Sequence, residues 1–426
     1  MLDIQFIRDH PDRVREAILN KGAGDPTTVD RLIELDGDWR TVTTRLQEAR
    51  AEANEAARSI GELMKSGRKE EAQAAIETSS RLKTSIKEDE ERLEELERSL
   101  KDLQFEIPNV PHESVPVGST PDENVVAFES GSIPAFDFEP AAHWDLCDRH
   151  GLVEFNRGAK VSGAGFPFYL GNGARLQRAL TAFFLDLAVD EGGYTEMQAP
   201  FVVNEDSARG TGQLPDKEDL MYEAPRDGLY LIPTAEVPVT NFHRDEIIDE
   251  ADLPLKYCAY TPCFRREAGS YGKDVRGLNR LHQFDKVELV QFVRPDESYA
   301  ALESLREDAE RALERLELPY RRLLMCTGDM GFTQAKKYDL EVWSAGQERW
   351  LEVSSVSNFE GFQARRMLIR YRPADGGKPR TLHTLNGSGL ALPRVVAALL
   401  ENNQQADGSI VIPDALRPYT GFDRIG

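Results

Sequence analysis

From Leu32 onward the apolar residues fall at alternating steps of three and four: Leu32, Leu35, Trp39, Val42, Leu46, Ala49, Ala53, Ala56, Ile60 and Leu63. A second run keeps the rhythm through Leu82, Ile86, Leu93, Leu96, Leu100 and Leu103, with Asp89 breaking one seam position. A 3.5-residue repeat keeps a narrow apolar stripe turned toward a partner helix, so the pattern predicts two coiled-coil helices. Lys65-Ser66-Gly67-Arg68 lies between them as a turn. The simplest arrangement is an antiparallel hairpin, a helical arm over residues 1–106. Pro108, Pro111, Pro116, Pro121, Pro134 and Pro140 then punctuate a polar stretch in which no helix can persist, which predicts an extended linker over 107–140. Beyond it, Arg175 to Val189 and Tyr299 to Leu316 read as helices. Gln198–Val203, Leu229–Ile232, Lys286–Val290 and Trp350–Val353 read as strands. Without regular βαβ alternation, residues 141–426 are predicted to form an α+β body rather than a doubly wound sheet.

A hydrophobic content of 40 % is enough for a core, and no apolar run approaches membrane-spanning length, so no membrane partner is expected. The opening Met1-Leu2-Asp3-Ile4-Gln5 is amphipathic and acidic, unlike a signal peptide, which predicts a cytoplasmic protein. Cys147, Cys258, Cys263 and Cys326 form no CxxC pair, so reduced thiols and no structural zinc are expected. The net charge of −22 argues against a generally sticky nucleic-acid binder. Solubility explains that acidity, and so would a salty habitat. A local basic stripe remains compatible with RNA. Between Arg40 and Lys69 the first arm helix carries Arg40, Arg45, Arg50, Arg58, Lys65, Arg68 and Lys69, whereas the second carries Glu88-Asp89-Glu90-Glu91. Contact with a phosphate backbone and interhelical salt bridging both fit this distribution.

The richest chemistry lies between Thr261 and Glu288. Thr261-Pro262-Cys263-Phe264-Arg265-Arg266-Glu267, the glycine-punctuated Ala268 to Arg280, and Leu281-His282-Gln283-Phe284-Asp285-Lys286-Val287-Glu288 read as strand, loop and strand. Arg265 and Glu267, two apart on a strand, would share one face. The fixed donor fork of the arginine suits both a phosphate and a carboxylate. Phe284 offers a purine its ring, and Glu288 offers an ammonium its carboxylate. The plainer alternative is a surface ion pair beside a core phenylalanine.

Three further stretches bear on it. Glu352-Val353-Ser354-Ser355 offers oxygen ligands of the kind Mg²⁺ takes when water and phosphate complete its shell, although a serine capping a strand glutamate is common. Asn386-Gly387-Ser388-Gly389 opens a helix containing Arg394, a setting that favours anions. The third glycine of a dinucleotide fingerprint is missing, so a Rossmann reading fails. Thr234-Ala235-Glu236 with Glu288 would suit an ammonium and a small polar side chain. Paired glutamates would also suit a glycosidase, but the interleaved arginines favour phosphate chemistry. Together these residues point to ATP-dependent activation of an amino acid.

The order of these pieces resembles the class II aminoacyl-tRNA synthetases, specifically the bacterial-type seryl-tRNA synthetases, across essentially the whole chain. The heptad hairpin looks like that family's tRNA-binding arm. Met197-Gln198-Ala199-Pro200-Phe201-Val202 resembles class II motif 1, Phe264 to Glu288 motif 2, and Gly387 to Arg394 motif 3. Ala208 to Pro215 and Asn358 to Met367 are also family-like. The resemblance implies a mainly antiparallel sheet flanked by helices, a homodimer with Pro200 at the interface, and formation of seryl-adenylate followed by transfer of serine to serine tRNA. Selenocysteine tRNA is a further candidate acceptor.

By position, Arg265, Arg266, Glu267, Leu281, Phe284, Glu352, Val353, Ser354, Ser355 and Arg394 would bind ATP, with Arg265, Glu267 and Arg394 catalytic. Thr234, Ala235, Glu236, Arg265, Glu288, Asn386 and Ser388 would bind L-serine. Glu352 and Ser355 would hold Mg²⁺. Ser357 stands where the family often has cysteine, and no cysteine falls at the pocket positions that a zinc-dependent variant would need. Two rivals remain: a relative that loads amino acids onto a carrier protein, disfavoured by the arm, and a coiled-coil scaffold with a degenerate catalytic fold.

Overall fold

The structure, a computed structural model, describes residues 1–215, 218–267 and 276–426. It comprises two compact units, Met1–Val110 and Pro111–Gly426.

The first unit is helical: α1 (Ile4–Asp9), α2 (Pro11–Lys21), α3 (Thr28–Lys65) and α4 (Lys69–Glu106). Asp3 caps α1 by accepting from the amides of Gln5 and Phe6. Gly67, at φ 76°, permits the sharp reversal between α3 and α4. The heptad seam is real, since Val42, Leu46 and Ala49 of α3 and Ala72, Leu96 and Leu103 of α4 are buried. Asp89, the polar intruder, is also buried and is met from α3 by Arg45, whose Nε lies 3.0 Å from Asp89 Oδ2. That hydrogen bond holds the Asp89 carboxyl below its usual range. Arg50 reaches Glu90 at 2.7 Å. Interhelical pairing therefore absorbs part of the basic stripe. Among the described residues, Arg58, Lys65 and Lys69 nearer the turn form no ion pair.

The second unit is built on an eight-stranded sheet. Its strands are β1 (Val125–Ser130), β2 (Thr195–Glu196), β3 (Leu255–Phe264), β4 (Gln283–Val293), β5 (Tyr320–Leu324), β6 (Lys336–Ser344), β7 (Arg349–Asn358) and β8 (His383–Ala391). The order is β1-β5-β6-β7-β8-β4-β3-β2, antiparallel throughout except where β2 runs alongside β3. Helices α5 (His143–His150), α6 (Gly171–Asp190), α7 (Glu236–Thr240), α8 (Ser298–Arg315), α9 (Phe362–Met367) and α10 (Leu392–Asn402) complete the elements that matter here.

One correction to the sequence-based expectation concerns residues 107–140. Part of the stretch expected as linker is sheet: β1 pairs with β5 at the sheet's edge. Its side chains are mostly exposed, so no apolar alternation marks it.

β4 shows how the site is positioned. Val287, Leu289 and Val293 enter the larger core, whereas Val290 and Phe292, on the alternate row, enter a second core. Both faces are covered from Val287 onward, so apolar residues occupy both rows of that half of the strand. Phe284, Lys286 and Glu288 continue the second row into a cavity. Beside it, Val287 pairs with Leu390 and Glu288 with Ser388, which leaves Gly389 as a bulge in β8. Gly387 is needed for packing, because a Cβ there would sit 2.4 Å from Leu305 of α8.

Candidate active site

β3 and β4 form the expected hairpin, Phe264 facing Gln283 and Cys263 facing Phe284. β3 stops at Phe264, however, so Arg265 and Glu267 lie just past the strand rather than on it. The Arg265 amide donates to His282 O at 2.9 Å, and Glu267 turns into the left-handed region at φ 48°. Both side chains still reach the cavity, whose volume is about 470 Å³.

The cavity gathers most of the residues expected from sequence. Arg265, Glu267, Leu281 and Phe284 line it from the hairpin; Glu352, Val353, Ser354 and Ser355 from β7; Asn386 and Ser388 from β8; and Arg394 from α10. Thr234 and Glu236, at the start of α7, face Glu288 of β4. Three expected residues stand apart. Ala235 is wholly buried behind its neighbours. Arg266 is absent from the cavity wall, and its amide donates to Leu220 O at 2.9 Å. Pro200 is exposed outside the cavity.

The cations and carboxylates are held in defined ways. The Arg265 guanidinium lies 5.0 Å from the centre of the Phe284 ring, and its Nε donates to Pro233 O at 3.3 Å. Glu267 is paired with Arg280. Arg394 is aimed by main-chain oxygens: Nε donates to Asn279 O at 2.9 Å and Nη1 to Glu352 O at 2.7 Å. Desolvation works to raise the Glu352 carboxyl. The field of Lys337, Arg394, Arg265 and Lys286 outweighs it and holds the group below its ordinary value.

Several contributors were not singled out from sequence. Lys286 Nζ donates to Thr234 Oγ1 at 2.8 Å and pairs with Glu288. Strand alternation two residues before Glu288 was a usable signal for it. Behind Ser355 lies Asp339, which accepts from the Ser355 hydroxyl at 2.7 Å and pairs with Lys337 at 3.1 Å. Burial raises the Asp339 carboxyl to about 7, Lys337 opposing and the like charge of Glu352 adding to the rise. Gln363 of α9 donates to Glu236 at 2.6 Å and accepts from Thr384, which fixes the carboxylate. His143 is fully buried: its Nε2 accepts from the Leu278 amide at 2.9 Å, so the proton sits on Nδ1, 2.7 Å from Glu401. It holds the segment that carries Asn279 and Leu281. No local pattern marks these last groups.

An antiparallel sheet with ATP-suited arginines on a hairpin and a helix start beside it defines a class II aminoacyl-tRNA synthetase. The family model for the tRNA synthetase class II core domain (G, H, P, S and T) matches residues 221–403, and that for the seryl-tRNA synthetase N-terminal domain matches residues 1–111. The serine–tRNA ligase of Salinibacter ruber is 65 % identical over 426 residues, covering 100 % of this chain and 99 % of the relative. That of Exiguobacterium sibiricum is 52 % identical over 421 residues, covering 99 % and 98 %. Among solved structures, the seryl-tRNA synthetase of Pyrococcus horikoshii complexed with ATP superposes with a TM-score of 0.94 at 38 % identity, covering 100 % and 99 % of the two chains. The chain belongs to the seryl-tRNA synthetase family.

Proposed function

We propose that this chain activates L-serine with ATP and then transfers the seryl group to the 3′-terminal adenosine of serine tRNA. One observation carries the reading: a single cavity brings together Arg265 and Arg394 for phosphates, Phe284 for a purine, and Thr234, Glu236 and Glu288 for an amino acid. Arg265, beside the Phe284 ring and bonded to Pro233 O next to Thr234, is suited to hold the α-phosphate and the serine carboxylate together. The carboxylate oxygen attacks the α-phosphorus and pyrophosphate departs. A ribose hydroxyl of the tRNA terminus later displaces AMP. Serine's carboxylate is already ionised, so the first step needs no general base. Positioning and charge neutralisation are what the residues supply. Leu281 would meet adenine through its backbone, while Asn386 and Ser388 would close the serine pocket.

Mg²⁺ fits the donors present. The Glu352 carboxylate and Ser355 hydroxyl are hard oxygen ligands, and Asp339 orients the serine. Among the described residues no three His, Cys, Asp or Glu side chains form a metal cluster, so such an ion would depend on substrate phosphates. It would supply neutralisation of phosphate charge.

The arm, residues 1–106, is proposed to bind tRNA through Arg58, Lys65 and Lys69, the cations of its Arg40–Lys69 stripe outside the described ion pairs. Selenocysteine tRNA is a further candidate. A homodimer through the Pro200 region is supported by the exposed apolar Phe201 and Val202. A cytoplasmic setting agrees with the absence, among the described residues, of a helix long and apolar enough to cross a membrane. A further expectation from the sequence, that the Ala268–Arg280 loop bends toward the tRNA end, falls at 268–275 outside the described residues. Serine-dependent exchange of pyrophosphate into ATP, followed by charging of serine tRNA, tests the whole. Exchange without charging would favour a carrier-protein relative, and no exchange in folded protein would favour the scaffold.

A further inference from the structure

Phe284, Lys286 and Glu288 share one row of β4, and Lys286 is the member still without a task. It is almost fully buried, with 6 % of its side chain exposed against 3 % for Glu288. Its Nζ donates to Thr234 Oγ1 at 2.8 Å and pairs with Glu288 Oε2. The Thr234 hydroxyl donates to that same Oε2 at 3.2 Å. Both contacts fall on one carboxylate oxygen. Among the described residues no group bonds to Glu288 Oε1 or to the third N–H of Lys286, and all three residues line the cavity.

An ammonium has three donors and no acceptor, so Lys286 repels a substrate's own ammonium. A hydroxyl is different, since it donates once and accepts twice. Thr234 already displays the pattern, accepting from Lys286 and donating to Glu288. A substrate hydroxyl can repeat it with the remaining N–H and with Oε1. A methyl group in its place would strand a buried ammonium proton and a buried carboxylate oxygen. Sites built on such partners reject the analogue lacking the hydroxyl by about 10⁴–10⁵.

We infer that Lys286 is a specificity-determining residue of the amino-acid pocket, reading the substrate's side-chain hydroxyl together with Glu288. The inference rests on the proposed serine pocket. It is tested by pyrophosphate exchange with serine and with alanine at saturating ATP, in the full chain and in Lys286→Met, which keeps the length of the side chain and removes its donors. The serine-to-alanine ratio of kcat/KM falls about 100-fold or more in the variant, with KM for ATP little changed. A ratio that stays at the wild-type value overturns the inference, even if both rates drop together, because a group that reads the hydroxyl cannot be removed without changing that ratio.

A melting curve separates unfolding from loss of selectivity. A second measurement needs no variant. 2,3-Diaminopropionate presents a donor-only ammonium where serine has its hydroxyl, so the wild-type chain excludes it; activation comparable to that of serine overturns the inference. Wild-type exchange that does not respond to serine sinks the pocket reading itself. Wild-type selectivity for serine that survives Lys286→Met sinks only the role of Lys286.

Discussion

Two ion pairs in this molecule use the same chemistry for opposite ends. In the arm, Arg45 meets Asp89 across the helical seam with the arginine 58 % exposed and the aspartate 5 %. In the body, Lys286 meets Glu288 with both side chains at 6 % or less. The first is open to water and salt, so it sets helix register at small net energy. The second keeps two charges desolvated, an expense that packing alone does not warrant. A polar pair at a solvent rim is fold grammar. A polar triangle lining a cavity is held ready for a ligand.

The contrast can be broken most sharply at Arg265. Arg265→Ala should lower serine-dependent exchange by about 10³-fold with the melting temperature nearly unchanged, since the side chain lines a cavity rather than a core. Near-normal exchange would strip Arg265 of its role. Deleting residues 41–96 should spare exchange and cut charging of serine tRNA by about 100-fold or more, because phosphate contacts carry much of such binding. Arg40 and Glu97 are suitable ends to rejoin, as the neighbouring Trp39 already reaches Glu97 across the hairpin. Unchanged charging would mean the arm does not read tRNA.

His143→Ala should raise KM for ATP about tenfold while leaving KM for serine alone, through loss of the clamp on the Leu278 amide. Equal rises in both constants would indicate a general disturbance. Asp339 offers a pH test. Its raised value, about 7, means the folded chain keeps a proton that the unfolded chain has released above about pH 4, so this group's contribution to stability falls as pH rises through that window. Below pH 7 the protonated carboxyl leaves the Glu352–Ser355 neighbourhood less negative. The Mg²⁺ concentration for half-maximal exchange should therefore rise a few-fold from pH 8 to pH 6, and Asp339→Asn should flatten that dependence. A flat wild-type profile would remove Asp339 from the metal's surroundings. The smallest effect belongs to the arm: Asp89→Leu should change urea stability by no more than about 1 kcal/mol. A much larger loss would erase the contrast, placing the arm pair on the same footing as the buried one.

The arm was legible because a heptad repeat is a local, periodic signal, and the helical seam fell where Leu46 and Leu96 place it. The hairpin was legible in its order of residues, though the strand ended three residues early. β1 was missed because an exposed edge strand shows no alternation of burial. Asp339 and His143 were missed for another reason. Each owes its role to a partner distant in sequence, Ser355 for Asp339 and Glu401 for His143. No run of residues announces a meeting made by the fold.

Arg394 is steered by two peptide carbonyls, while the nearest carboxylate oxygen of Glu352 stands back at 3.8 Å. Neutral dipoles at contact distance are barely touched by dissolved ions, whereas exposed charge pairs fade beyond a screening length of about 8 Å at physiological ionic strength. The guanidinium thus keeps its aim in brine as in dilute buffer, with the Glu352 carboxylate a looser companion at 3.8 Å. For a chain that carries −22, this is a salt-proof way to present a cation to a phosphate.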